Sequence, residues 1–256
     1  MCVKIIRHAK EEGEDIERID TFVAIDIEAT GISPHKSRII EIGAIKVVNG
    51  VEVDRFSSLV NPCVPISEEI TLLTGISQEM VSSAPYEKEV LEKFLEFIED
   101  YPWLGHSINS DYAYIKNALN NNDMLEKNFV KYGYDTLIIA KAYLQDVSSK
   151  SLENLCKYYG IDNKSAHRAI GDVEATIELF YKLQNQFYTD KKESFKQHLL
   201  THKIKKLQKI TNWQKNYLND LIKYHKIKFV GRVDELTMSE ASKIIDKIIL
   251  TYGRII

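Results

Sequence analysis

Asn49-Gly50 stands between two apolar runs, one near Arg38 to Val48 and the other near Val51 to Val60. Both residues tolerate positive φ, so the dipeptide predicts a tight antiparallel hairpin, and the two runs become paired strands. Ahead of them, Thr21-Phe22-Val23-Ala24-Ile25 is apolar and partly β-branched, as a buried strand is. Gly31, Ser33 and Pro34 end it. The chain therefore opens its folded part as a sheet.

Helical periodicity starts after Pro85. Val90, Leu91, Phe94, Leu95, Phe97, Ile98 and Tyr101 share one helical face. Trp103-Leu104-Gly105-His106 reads as a short strand, and a helix follows from about Ser110, with Asn109 or Ser110 as its cap. Phe129 to Tyr134 is a further candidate strand. Asp135-Thr136 opens a helix, Ser151 to Tyr159 is a short helix closed by Gly160, and Ala166 to Phe187 is a longer one. Strands first, then strands alternating with helices, indicate an α/β domain with a mixed sheet.

Length and charge divide the chain. Its 256 residues suit one catalytic-sized domain with an appendage. The expected organisation is a charged leader over 1–20, a domain over 21–189 and a basic, mostly helical C-terminal module over 190–256. The module carries 15 Lys/Arg against 7 Asp/Glu, a net of +8, which leaves −11 for the rest of a chain whose total is −3. An acidic body suits carboxylate-based metal chemistry; a basic tail suits a polyanion or an acidic partner, or is simply a solvated lysine-rich surface. At 44% hydrophobic and 28% charged residues the chain is neither disordered nor fibrous. No run approaches the ~20 apolar residues of a membrane span. The apolar N-terminal stretch is too short for a signal peptide, and Cys2, Cys63 and Cys156 form neither a knuckle nor a disulfide framework, so a cytoplasmic protein is expected.

The chemistry concentrates in Ile25-Asp26-Ile27-Glu28-Ala29-Thr30-Gly31. Residues i and i+2 of a strand share a face, so Asp26 and Glu28 project side by side from an apolar strand. Two such carboxylates repel and lose hydration unless a hard divalent cation neutralises them. A solvated edge strand would also accommodate the pair. Asp111 falls at a strand-to-helix junction and Asp172 in the early turns of the long helix, positions where α/β proteins place sites. Each Asp could instead offset a helix dipole, and His167 could be a surface hydrogen-bond donor.

Taken together, these segments resemble the DEDDh-type 3′–5′ exonucleases, a family that includes the proofreading subunit or domain of bacterial replicative polymerases. Asp26-Ile27-Glu28-Ala29-Thr30-Gly31 is similar to the first motif, Gly105-His106-Ser107-Ile108-Asn109-Ser110-Asp111 to the second, and His167-x5-Asp172 to the third. Asp135-Thr136-Leu137 and Ser151-Leu152-x2-Leu155-Cys156-x3-Gly160-Ile161 fit the same family in order and spacing. Three positions depart from the pattern: Ala29 where Thr is usual, Ser107 where Asn follows the His, and Ser110 in place of an aromatic residue. None removes a ligand or the base. The resemblance implies an RNase H-like fold, a mixed five-stranded sheet flanked by helices. It implies two ions, Mg²⁺ or Mn²⁺, held by Asp26, Glu28, Asp111 and Asp172, with His167 as general base. It also places Thr30, Gly31 and His106 near the 3′-terminal nucleotide of a single-stranded DNA or RNA, with a DNA polymerase subunit as partner. The competing reading is a nucleic-acid or polymerase-binding module on the same fold without efficient catalysis.

In the C-terminal module, Lys191, Lys192, Lys196, Lys203, Lys205, Lys206 and Lys209 are expected along one helix that could trace a phosphate backbone. Thr211 to Tyr224 is a candidate helix. Trp213, Tyr217 and Tyr224 could stack on bases, but their helical spacing favours a core. Thr237-Met238-Ser239-Glu240 has the spacing of a capping box.

Overall fold

The computed structural model describes residues 18–126, 129–163, 166–204, 209–229 and 232–255. The chain forms two compact units, one through Ile204 and one from Lys205 onward. Of the expected leader, residues 1–17 lie outside the described residues. Ile19 is tied into the first unit, its N–H donating to Gln184 Oε1 at 2.9 Å and its carbonyl accepting from Gln184 Nε2 at 3.0 Å.

The first unit is built on β1 (Phe22–Ala29), β2 (Ile39–Val48), β3 (Val51–Leu59), β4 (Trp103–Gly105), β5 (Tyr132–Asp135) and β6 (His198–Leu199), in the sheet order β3-β2-β1-β4-β5-β6. β1 and β3 flank β2 antiparallel, β4 runs parallel to β1, and β5 runs parallel to β4. Five strands match the expected mixed sheet. The sixth arises where His198 and Leu199 pair with Gly133 and Tyr132, a contact between distant segments that no local pattern reveals. The hairpin turns at Asn49 (φ 52°) and Gly50 (φ 73°), both left-handed, with Val48 opposite Val51.

Period-two alternation in β1 splits the interior into two layers. Phe22 and Ala24 face a cluster with Val173 and Phe180 of the long helix that follows His167; Val23 and Ile25 face the other cluster. The helices of this unit are α1 (Glu68–Thr74), α2 (Gln78–Ser82), α3 (Glu87–Ile98), α4 (Ile108–Asn121), α5 (Thr136–Tyr143), α6 (Leu152–Tyr159) and α7 (Ala169–Lys191). Phe94 of α3 and Tyr112 of α4 pack edge-on against Trp103, and all three are buried. Burying an aromatic side chain of this kind is worth about 1.5–3 kcal/mol. The amphipathic stripe read after Pro85 is the buried face of α3, with Val90, Leu91, Phe94 and Ile98 inward.

Gly43 of β2 sets how close α7 comes to the sheet. A Cβ there would lie 2.6 Å from the backbone of Ala169 and Ile170, in the first turn of α7. Gly43→Ala is therefore expected to push that turn off the sheet and to cost about 1–3 kcal/mol, read as a lower urea midpoint at unchanged slope.

The lysine-bearing segment after Tyr188 is not one helix. α7 ends at Lys191, a 3₁₀ turn spans Lys192–Phe195, and β6 follows. Phe195 is buried against Phe180 and Tyr188, and this contact, with the β5 pairing, outweighs helical continuation. Lys205 and Lys206 lie outside the described residues.

The second unit holds α8 (Asn212–Tyr224) and α9 (Met238–Tyr252). Thr211 with Gln214, and Thr237 with Glu240, form capping boxes. Leu218 and Leu221 pack on Ile245 and Ile248. Trp213 is not core: it is 67% exposed and stacks on Tyr217 with centroids 5.3 Å apart. Tyr224 is exposed too, while Tyr217 borders the cluster. The face that meets α9 centres on Gln214, Leu218 and Leu221, and Trp213 stands a quarter-turn round the helix from it. Lys228 and Phe229 are in no strand, and Val230 lies outside the described residues. Among the described residues no helix is long and apolar enough to cross a membrane.

Candidate active site

The carboxyl ends of the parallel strands β1, β4 and β5 point the same way, and the candidate residues gather there. Asp26 and Glu28 share the face of β1 that carries Phe22 and Ala24, turned toward α7. Asp172 lies in the first turn of α7, and Asp111 in the first turn of α4, where it is buried. His167 is exposed, has φ 62° and leads into α7.

One ligand atom each from Glu28, His167 and Asp172 fall within 4.8 Å of one another. Asp172 is held at both oxygens: Oδ1 accepts from Asn163 Nδ2 at 2.7 Å, and Oδ2 from the His167 N–H at 3.1 Å. Asp26 and Asp111 stand outside this tight trio but feel its charge. Burial, then Asp111, Asp172, Glu28 and Glu41, raise the carboxyl of Asp26 well above its ordinary range. Glu28 is pushed up to about 8 by burial and by Asp172 and Glu41, with Arg168 opposing. Burial also raises Asp111 well above its usual value; its own N–H pulls the other way, Asp135 and Glu28 add to the rise, and the Ile27 N–H opposes it.

Carboxylates crowded in this way must either bind protons or share a cation. Their oxygen donors and single imidazole suit a hard divalent ion, so the donor set fits the metal that the sequence implies. The sign of the linkage gives a test. A carboxyl whose folded pKa is raised holds its proton after the unfolded chain has released it, so stability is lost as pH climbs from about 4.5 toward 8. For Glu28 that loss is at most about 5 kcal/mol, reduced by its solvent-facing share. In chelator, the melting temperature is expected to fall between pH 5 and pH 8; millimolar Mg²⁺ is expected to flatten that slope.

The residues expected near a substrate have structural occupations as well. Thr30 closes the loop after β1: its N–H donates to Arg38 O at 2.8 Å, and its Oγ1 accepts from Arg38 N at 2.9 Å. The Gly31 carbonyl accepts from the Tyr114 hydroxyl. His106 commits both ring nitrogens, Nε2 to Lys150 O and Nδ1 to Thr136 Oγ1, each at 2.8 Å. Burial lowers its pKa, which leaves a neutral ring donating through Nε2 and accepting at Nδ1. A cavity of about 250 Å³ opens beside Glu28, with Gly31, Ile32, Leu73 and Tyr114 in its walls.

Three supporting residues, Asn163, Glu41 and Arg168, have no reading in the sequence, and a fourth, Asp135, has a second task there that its motif does not show. Asn163 holds Asp172. Asp135 caps α5, as its place at a helix start suggests, and also accepts from Ser107 N at 3.0 Å, fixing the left-handed start of α4 (φ 74°). Glu41 of β2 lies opposite Glu28 of β1 and pairs with Arg168. The signal for Glu41 was present, since a lone acid in the apolar run Ile39-Ile40-Glu41-Ile42 needs a partner.

An exonuclease family model, RNase T, matches residues 23–180. A PolC-type DNA polymerase III from Caldanaerobacter subterraneus subsp. tengcongensis is 41% identical over 63% of this chain, which spans only 11% of that polymerase. The DNA polymerase III subunit epsilon of Aquifex aeolicus is 34% identical over 66% of this chain and 82% of its own length. The fold is shared with the nuclease domain of 3′hExo, a DEDDh family member bound to rAMP (TM-score 0.59, 19% identity, 71% of this chain and 98% of that one). It is also shared with E. coli exonuclease I in complex with a dT13 oligonucleotide (TM-score 0.57, 20% identity, 67% and 43%).

Proposed function

The chain belongs to the RNase T family of exonucleases, and from that premise we propose that it removes nucleotides from the 3′ end of single-stranded DNA by metal-assisted hydrolysis. The observation that carries this reading is the set of four carboxylates at the strand ends, three of them raised by burial and by neighbouring negative charge, beside one exposed imidazole. Asp26, Glu28, Asp111 and Asp172 would hold two divalent ions, Mg²⁺ or Mn²⁺, which supply charge neutralisation to the attacking and leaving oxygens of an in-line displacement.

The protein's own groups do the rest. His167 takes a proton from the attacking water, the general-base role that an imidazole within reach of a reacting water fills most often. Its place on a loop lets the ring move while Asp172 stays fixed in the helix. The cavity beside Glu28 receives the terminal sugar and base: Ile32 and Leu73 offer apolar surface, and the loop tied by Thr30 and Tyr114 shapes the wall. His106 has no ring nitrogen to spare and serves as a rigid wall. A DNA polymerase is the proposed partner, a role supported by what the relatives are called. The basic second unit would add affinity for the strand.

The test is degradation of oligonucleotides labelled at the 3′ or 5′ end, single-stranded DNA and RNA in parallel, with Mg²⁺, Mn²⁺ or chelator. The expected result is metal-dependent release of mononucleotides from the 3′ end of DNA. Binding without release would favour a module that has kept the fold but not the reaction; faster release from RNA would change the substrate class.

A further inference from the structure

Glu41 lies on β2 directly opposite Glu28 and is 1% exposed, in a region already crowded with acid groups. Its charge is met by a fork. Arg168 Nη2 donates to Oε1 at 2.6 Å, and Nε donates to both oxygens at 3.2 and 3.1 Å. Glu41 Oε2 also accepts the N–H of Ala169, the first residue of α7, at 2.9 Å. One buried side chain thus grips two successive residues. The residue before them is His167, whose own N–H is held by Asp172 and whose backbone is left-handed. Gly43, two residues along the same face of β2, admits the turn that is gripped.

An apolar contact would hold the helix to the sheet equally well, because a buried ion pair is weak stabilisation. What the carboxylate fork adds is direction: a planar two-point contact fixes orientation as well as distance. Resting on the hydrolytic reading above, we propose that Glu41 and Arg168 are a positioning pair. They aim the His167 loop at Glu28 and Asp172 without touching substrate or ions themselves.

Glu41→Gln is the primary test, because it keeps shape and one acceptor while Arg168, 39% exposed at its side chain, turns to solvent. Arg168→Lys is the companion: it keeps the charge and loses the fork. Both are made in the full chain. Turnover and KM on a single-stranded oligonucleotide, Mn²⁺ affinity without substrate, and hydrogen exchange at the His167 amide are measured. The expected result in both variants is kcat lowered at least tenfold, KM and Mn²⁺ affinity within about twofold, and His167 exchange at least tenfold faster. Parent-like kcat and exchange would overturn the proposal. So would a loss of Mn²⁺ affinity or melting temperature in step with kcat, since the pair would then be ordinary scaffolding. Amide exchange reads the loop even if the parent chain releases no nucleotide, a failure that would count against hydrolysis and not against the pair.

Discussion

Asp26→Asn is expected to lower nucleotide release on the order of 10⁴-fold while leaving the protein folded and, without metal, more stable at pH 8. The two effects share one cause. Asp26 sits among Asp111, Asp172, Glu28 and Glu41, and burial plus their charge holds its carboxyl well above the normal range. In the absence of a cation, an ionised Asp26 is unfavourable in this cluster. Asparagine keeps the shape and removes the repulsion, so the melting temperature in chelator rises. The same exchange takes a negative group from the proposed cation site, and with it several kcal/mol of charge stabilisation expected in the transition state. Steady-state release with Mg²⁺ and thermal melts in chelator check both halves. A variant that is inactive because it melts far below the parent would refute the account, as would one that retains parent activity.

Replacing His167 is expected to reduce the rate by about 10²–10⁴ while Mn²⁺ binding persists. The backbone dictates which replacement is informative. With φ at 62°, His167 occupies a conformation that costs an alanine roughly 1–2 kcal/mol, whereas asparagine adopts it readily. His167→Ala alone would confound a lost base with a displaced loop. His167→Asn keeps the loop and removes the base, so the two variants should fall together in single-turnover rate. If Asn retained the parent rate, His167 would not be the proton acceptor, whatever Ala did.

Much of this architecture was legible because its determinants are local. Asn49-Gly50 turns the hairpin in left-handed geometry, Ser151 and Asp135 cap their helices, and Thr237 with Glu240 closes a capping box. Alternation along β1 sends Asp26 and Glu28 to the α7 side. What escaped depends on partners distant in sequence. Ser107, not Asn109 or Ser110, starts α4, because Asp135 accepts its N–H from 28 residues away. The lysines after Tyr188 have helical spacing, yet Phe195 finds a buried place against Phe180 and the chain turns to pair with β5. Trp213 fits an apolar stripe on paper and lies in solvent, because α9 covers the neighbouring face of α8. For the candidate site, the four carboxylates and His167 were readable one by one. Their brace was not, since Glu41 and Arg168 are 127 residues apart.

The two ends of the sheet bear on self-association. Any open sheet leaves a rank of unpaired N–H and C=O groups along each margin, onto which a strand from another molecule can add. Here the long margin is β3, nine residues that include Glu52, Asp54 and Arg55; the other is β6, only two residues long. Charge guards the first margin and brevity the second, so neither offers the long, flat, apolar template from which fibrils and precipitates grow during concentrated expression.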